Sequence, residues 1–195
     1  MKEKMASNSM RDEIIDAARQ CYLTQGVSNT GMRDIANHTG IARSTLYRYF
    51  PNRDDLLIAT IELEMNTLND KIQKKLAVHK DPADVIVEGM LLALKEIPKR
   101  PLLKAVLVSD DDAKARRVVW RSKSVVLFGE NLMQQVIQAA TDSSELQSTV
   151  KPEIMVEWVY RILISYLTLP SKLLKSEKHL RTTLHALLIP VLLRH

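Results

Sequence analysis

Met32-Arg-Asp-Ile-Ala-Asn-His-Thr-Gly-Ile-Ala-Arg-Ser-Thr-Leu-Tyr-Arg-Tyr-Phe-Pro-Asn-Arg-Asp-Asp-Leu-Leu57 carries two short helical periodicities separated by a glycine. Its first part places Met32, Ile35, Ala36 and Thr39 on one side of a helix expected over 30–39, with the Thr30 hydroxyl set to accept from a free amide of the first turn. Gly40 breaks that helix. A third helix is expected over about 43–50, where Leu46, Tyr49 and Phe50 share a face and Arg43, Ser44, Tyr47 and Arg48 point elsewhere. Pro51 ends it. Two short helices around a tight turn, with one apolar back and one basic front, suit the major groove of DNA, where each base pair shows its own pattern of donors, acceptors and methyl groups.

Residue chemistry then divides the labour. Arg43 can donate to guanine or phosphate, Ser44 can donate or accept, and Thr45 offers a hydroxyl together with a methyl for thymine, so these three are the base-contact candidates. Tyr47 suits a phosphate hydrogen bond with its ring on the sugar backbone. Arg48 and Arg53 suit phosphate neutralisation, with Thr30 and Tyr49 as secondary backbone contacts. The wider charge agrees: residues 1–60 hold eight Lys/Arg against seven Asp/Glu, yet 41–53 holds Arg43, Arg48 and Arg53 with no acid. Local rather than diffuse positive charge fits a surface set against phosphate.

Working outward, the pattern is helical along the chain. A first helix is expected over 10–24, with Ile14, Ala18, Cys21 and Tyr22 on one face and Gly26 just past its end. Asn52 followed by Asp55 signals the cap of a fourth helix running to about 76. Asp81-Pro82 opens another, ending near Ile97-Pro98. Pro101 starts a short segment to about 109, Asp110-Asp111-Asp112 favours the start of a long helix to Ala140, and 141–151 reads as a loop. Pro152 begins a helix ending near Leu169-Pro170, and a last one is expected over 177–193.

The 195 residues are 46% apolar and 26% charged with a net charge of +5, which fits a globular protein and argues against general disorder. The first residues lack the apolar core of a secretory signal, and no run reaches the roughly 18 uncharged apolar residues of a membrane helix. A single cysteine, Cys21, excludes an intrachain disulfide framework and suits the cytoplasm. His38 has no Cys/His cluster around it, Glu153 and Glu157 have no accompanying His, and there is no Gly-rich phosphate loop. No catalytic residue, metal site or cofactor is therefore expected, and an enzyme is the remote alternative.

The segment from about Ile14 to Leu57 resembles the N-terminal domain of the TetR family of bacterial transcription regulators. The resemblance rests on Ile14-Ile-x-Ala-Ala18, Gly26, Thr30, Asp34-Ile35-Ala36, Gly40-Ile41, Thr45-Leu46-Tyr47-x-Tyr49-Phe50 and Arg53-Asp-Asp-Leu-Leu57. It implies a homodimer reading a roughly palindromic double-stranded operator as a repressor released by a small ligand, with dimerisation through the last two long helices. Three departures stand out: Ala42 where a Ser commonly caps the reading helix, Gly31 for a frequent second Thr, and Cys21 for a larger aliphatic residue.

The expected fold class is thus all-α, with an N-terminal helix-turn-helix DNA-binding module over 1–57 and a larger helical ligand-binding and dimerisation body over 58–195. In that body Met90, Leu94, Leu103, Leu107, Trp120, Phe128, Met133, Trp158 and Tyr166 are the candidates to line a pocket for an apolar or amphipathic effector. Met155, Val159, Ile162, Leu163, Leu180, Leu184, Leu187, Leu188 and Val191 form broad stripes that suit a seam between subunits, burial within one chain being the alternative. A helical protein-binding adaptor is the second functional alternative; it needs the apolar stripes but not the basic face. Arg43→Ala is expected to weaken DNA binding and alter base preference, and Arg53→Ala to weaken cognate and altered operators alike. Binding titrations across operator variants check both.

Overall fold

The computed structural model describes residues 2–108, 113–122, 151–169, 171–174 and 176–193. Among them the regular structure is helical: α1 (Lys2–Gln25), α2 (Met32–Thr39), α3 (Arg43–Tyr49), α4 (Arg53–Leu76), α5 (Pro82–Glu96), a 3-10 turn (Ile97–Lys99), α6 (Pro101–Leu107), α7 (Ala113–Arg121), α8 (Pro152–Thr168), α9 (Glu177–Leu187) and α10 (Ile189–Leu192). The expected helix over 110–140 is seen as α7 from 113 to 121; its remainder and nearly all of the expected 141–151 loop lie outside the described residues.

Local chemistry sets most of these boundaries. Asn52 and Asp55 form a reciprocal cap at the start of α4: the Asp55 amide donates to Asn52 Oδ1 and Asn52 Nδ2 to Asp55 Oδ2, each at 2.8 Å. Asp81 accepts from the Ala83 amide at 2.8 Å ahead of Pro82, so α5 begins where the sequence places it. Three boundaries differ from expectation. Helix α1 begins well before residue 10. Helix α2 is capped from Gly31 rather than Thr30, with the Asp34 carboxylate accepting from the Gly31 amide at 2.9 Å. The segment expected as one helix over 177–193 is two, because Pro190 has no amide to donate and its ring crowds the preceding turn.

The chain divides into two compact units, 1–66 with 100–125 and 67–99 with 126–195, the division falling within α4. In the first unit α1 packs on α2 and α6, α2 on α3, and α6 on α7. Its interior contains Ile14, Ala18, Val27, Ile35, Leu46, Leu56, Leu57, Ile61, Leu103 and Val106, all completely buried. Among the described residues of this unit, one charged side chain is buried. The Glu64 carboxylate takes Arg19 from α1 on one oxygen and Arg100, just ahead of α6, on the other at 3.3 Å. A buried acid needs such partners, since an unpaired charge there would be strongly disfavoured.

The second unit packs α5 against α8 and α9. Its core joins Ile86, Val87, Met90 and Leu91 to Met155, Val159, Leu184, Leu188, Ile189, Leu192 and Leu193. Polar contacts accompany this packing: Arg181 on α9 pairs with Glu88 on α5, and His185 Nε2 lies 3.6 Å from Asp84. Glu96 at the end of α5 is buried and receives Lys71 from α4 and, at 3.1 Å, Lys99.

Hydrogen bonds first from Lys71 and then from Lys99 hold the Glu96 carboxyl down at about 2 against an ordinary 4.5. A folded-state value below the unfolded one contributes stability above pH 4.5 that is lost as pH falls through about 2. Glu96→Gln is therefore expected to lower the melting temperature at pH 7 and to flatten the loss of stability between pH 4.5 and 2. A series of thermal melts against pH checks it.

Candidate nucleic-acid interface

The seven residues of α3 make two opposed faces. Leu46 is completely buried and Phe50, which closes the helix, is 3% exposed; these i and i+4 positions anchor it from behind. Arg43, Ser44, Tyr47 and Arg48 are exposed on the other side, Tyr47 by 48%. Thr45 and Tyr49 are half-buried at the edges. All three base-contact candidates thus lie in the first turn of α3, two of them exposed. Ala42 provides no side-chain cap; its carbonyl accepts from the Thr45 and Leu46 amides at 3.0 and 3.1 Å, so backbone bonds begin the helix alone.

The turn before α3 depends on Gly40. Its φ of 73° lies in the left-handed region, and this lets the Gly40 and Ile41 amides fold back onto the carbonyls of Asn37 and Ala36. A Cβ added there meets nothing within 4 Å, so the cost of a side chain is conformational rather than steric. Gly40→Ala should destabilise by about 1–2 kcal/mol, with Gly40→Asn losing less because Asn tolerates this conformation. Urea unfolding of the three proteins checks the order.

The five backbone-contact candidates occupy different settings. Tyr47 and Arg48 are exposed, and the Arg48 guanidinium stacks 5.5 Å from the centre of the Tyr49 ring. Thr30, expected to contact the backbone, is only 1% exposed, and its hydroxyl donates to the carbonyls of Cys21 at 3.2 Å and Gly26 at 2.8 Å. The cause is the shift of the cap to Gly31, which leaves Thr30 free to turn inward and close the loop after α1. Arg53 is half-buried: Nε donates to the Thr30 carbonyl at 2.7 Å and Nη2 to that of Val27.

Neighbouring groups are quiet chemically. Burial, and secondarily Asp34, pushes the Cys21 thiol up, which suits an inert core residue. Burial pushes the Tyr22 hydroxyl up to about 12, with the Arg53 charge pulling the other way. His38 is exposed. Among the described residues no group of three His, Cys, Asp or Glu side chains is placed to hold a metal ion. Sequence reasoning missed Arg11, whose guanidinium sits 5.1 Å from the centre of the Phe50 ring and ties α1 to the end of the reading helix. No sequence signal links positions 39 apart.

The effector-pocket candidates are divided between the two units. Leu103, Leu107 and Trp120 belong to the first unit, the two leucines buried; Met90, Leu94, Trp158 and Tyr166 belong to the second. Phe128 and Met133 lie outside the described residues. Met90 is core, whereas Trp158 is 50% exposed in a groove of about 300 Å³ with Ile154, Met155, Arg161, Val191 and Leu192. Tyr166 lines another of about 270 Å³ with Ile162, Leu184, Leu187 and Leu188.

The seam candidates divide by helix face. Met155, Val159, Leu184 and Leu188 are buried in the second unit's own core, with Ile162, Leu163 and Leu180 packed partly against it. Leu187 and Val191, one step round the same stripe, are 71% and 53% exposed. A stripe this broad spans both an inward and an outward face.

Residues 14–60 match the family model described as "Bacterial regulatory proteins, tetR family". Residues 14–60 therefore form a TetR-type N-terminal domain. An uncharacterized HTH-type transcriptional regulator of Mycobacterium tuberculosis is 27% identical over 161 residues, covering 83% of this chain and 76% of that protein. A probable acrEF/envCD operon repressor of Escherichia coli is 29% identical over 147 residues, covering 71% and 65%. The crystal structure of RolR in complex with resorcinol superposes with a TM-score of 0.70 at 17% identity, covering 97% of this chain and 90% of that one. The matched segment spans the second half of α1, all of α2 and α3 and the start of α4. None of the chain's described helices is long and apolar enough to cross a membrane.

Proposed function

We propose that the protein is a cytoplasmic homodimeric repressor that binds a roughly palindromic operator and is released by a small apolar or amphipathic effector. The observation that carries the DNA half is the two-faced α3: Arg43, Ser44 and Thr45 read bases, and Tyr47 and Arg48, with Tyr49 beside them, hold phosphate. Residues 1–57 serve this reading, and 58–195 serve effector binding and pairing. Repression follows the E. coli relative, which is named a probable operon repressor.

Pairing is supported by the outward apolar positions Ile154, Trp158, Leu187 and Val191, each at least half exposed on α8 to α10 of the second unit. A second copy is the partner this proposal assigns to them. A twofold dimer places its reading helices about one DNA turn, or a small multiple, apart. An effector then acts by favouring a subunit separation that no longer matches successive grooves.

Selection from a randomised duplex pool is expected to return a palindromic consensus whose affinity falls steeply with salt. Weak, sequence-independent retention would support the adaptor reading instead. Val191→Glu is expected to raise the dimer dissociation constant at least tenfold in sedimentation velocity while leaving the fold intact, because Val191 is exposed in the single chain. An unchanged monomer–dimer equilibrium would move the seam elsewhere.

A further inference from the structure

Arg53 is a cation at the first position of α4, where the positive end of the helix dipole disfavours it. Asp54 and Asp55 supply the charge that this end prefers. Something other than helix chemistry therefore accounts for its setting, and two carbonyls do so: Nε donates to Thr30 at 2.7 Å and Nη2 to Val27. Those acceptors belong to a loop that is otherwise closed from within. The Thr30 amide donates to the Val27 carbonyl at 3.4 Å, its hydroxyl returns to Cys21 and Gly26, and the next residue, Gly31, caps α2.

From this geometry we infer that Arg53 is a positioning residue for operator reading: it locks the loop between α1 and α2 to the first turn of α4 and so sets the pose of α2 and α3. It acts through the frame and not by neutralising a phosphate. The planar guanidinium presents two donors in a fixed fork that reaches both carbonyls at once; a lysine ammonium carries its charge on one nitrogen and cannot reproduce the fork. The half-buried setting of Arg53 separates it from Arg43 and Arg48, which extend into solvent.

This inference rests on the reading of the protein as a DNA-binding regulator, and its test keeps the two apart. The full chain, Arg53→Lys and Arg53→Gln are titrated with the duplex that the wild type selects from a random pool, over a range of salt, well below the melting point of each variant. Hydrogen exchange of the free proteins is followed at residues 27–31. Positioning predicts that both variants bind at least tenfold more weakly, that the slope of log affinity against log salt matches the wild type, and that exchange at 27–31 accelerates without DNA. A phosphate contact predicts near wild-type binding by Arg53→Lys and a slope reduced by about one ion for Arg53→Gln, which would overturn the inference. Wild-type affinity in both variants with only a lower melting point would overturn it too, showing a structural role alone. A wild type that selects no duplex sinks the regulator reading itself, while unchanged exchange at 27–31 sinks the Arg53 assignment separately.

Discussion

A seven-residue helix does not persist alone in water, because nucleating the first turn costs more than so few hydrogen bonds return. Helix α3 also lacks a side-chain cap. Its existence and its orientation therefore depend on Leu46 and Phe50 being buried against the rest of the first unit. Everything functional in the N-terminal domain follows from that constraint. The inward pair frees Arg43, Ser44, Tyr47 and Arg48 to face outward, and the ring of Phe50 in turn holds Arg11. Gly40, in the left-handed region, turns the chain between α2 and α3.

Much of this was legible because it is local. The Asn52 and Asp55 cap, the Asp81-Pro82 start and the Gly40 break each depend on residues within a few positions, where side-chain chemistry and backbone geometry are tightly coupled. The opposed faces of α3 followed from helical periodicity alone. The apolar periodicity through 184, 187, 188 and 191 continues across Pro190 while the backbone does not, so that pattern alone reads as one helix where there are two.

What was not legible is long-range. Glu64 finds Arg19 and Arg100, 45 and 36 residues away, and Glu96 finds Lys71, 25 away; nothing in their local sequence marks them as buried acids. Thr30 shows how a one-residue change in a cap alters a role: with Gly31 taking the cap, its hydroxyl turns into the loop and away from solvent. In the second unit, apolar periodicity located α8 and α9 but did not distinguish Leu188, buried in the core, from Leu187, 71% exposed.

On the proposed function, the outward face of α3 meets the bases. An amide NMR titration of the protein with its selected duplex, against a scrambled duplex of the same length and salt, tests this contact. Large shifts confined to the selected duplex at 43–45, with smaller ones common to both duplexes at 47–49, are the predicted result. Sequence-dependent shifts concentrated elsewhere, with 43–45 unmoved, would contradict it.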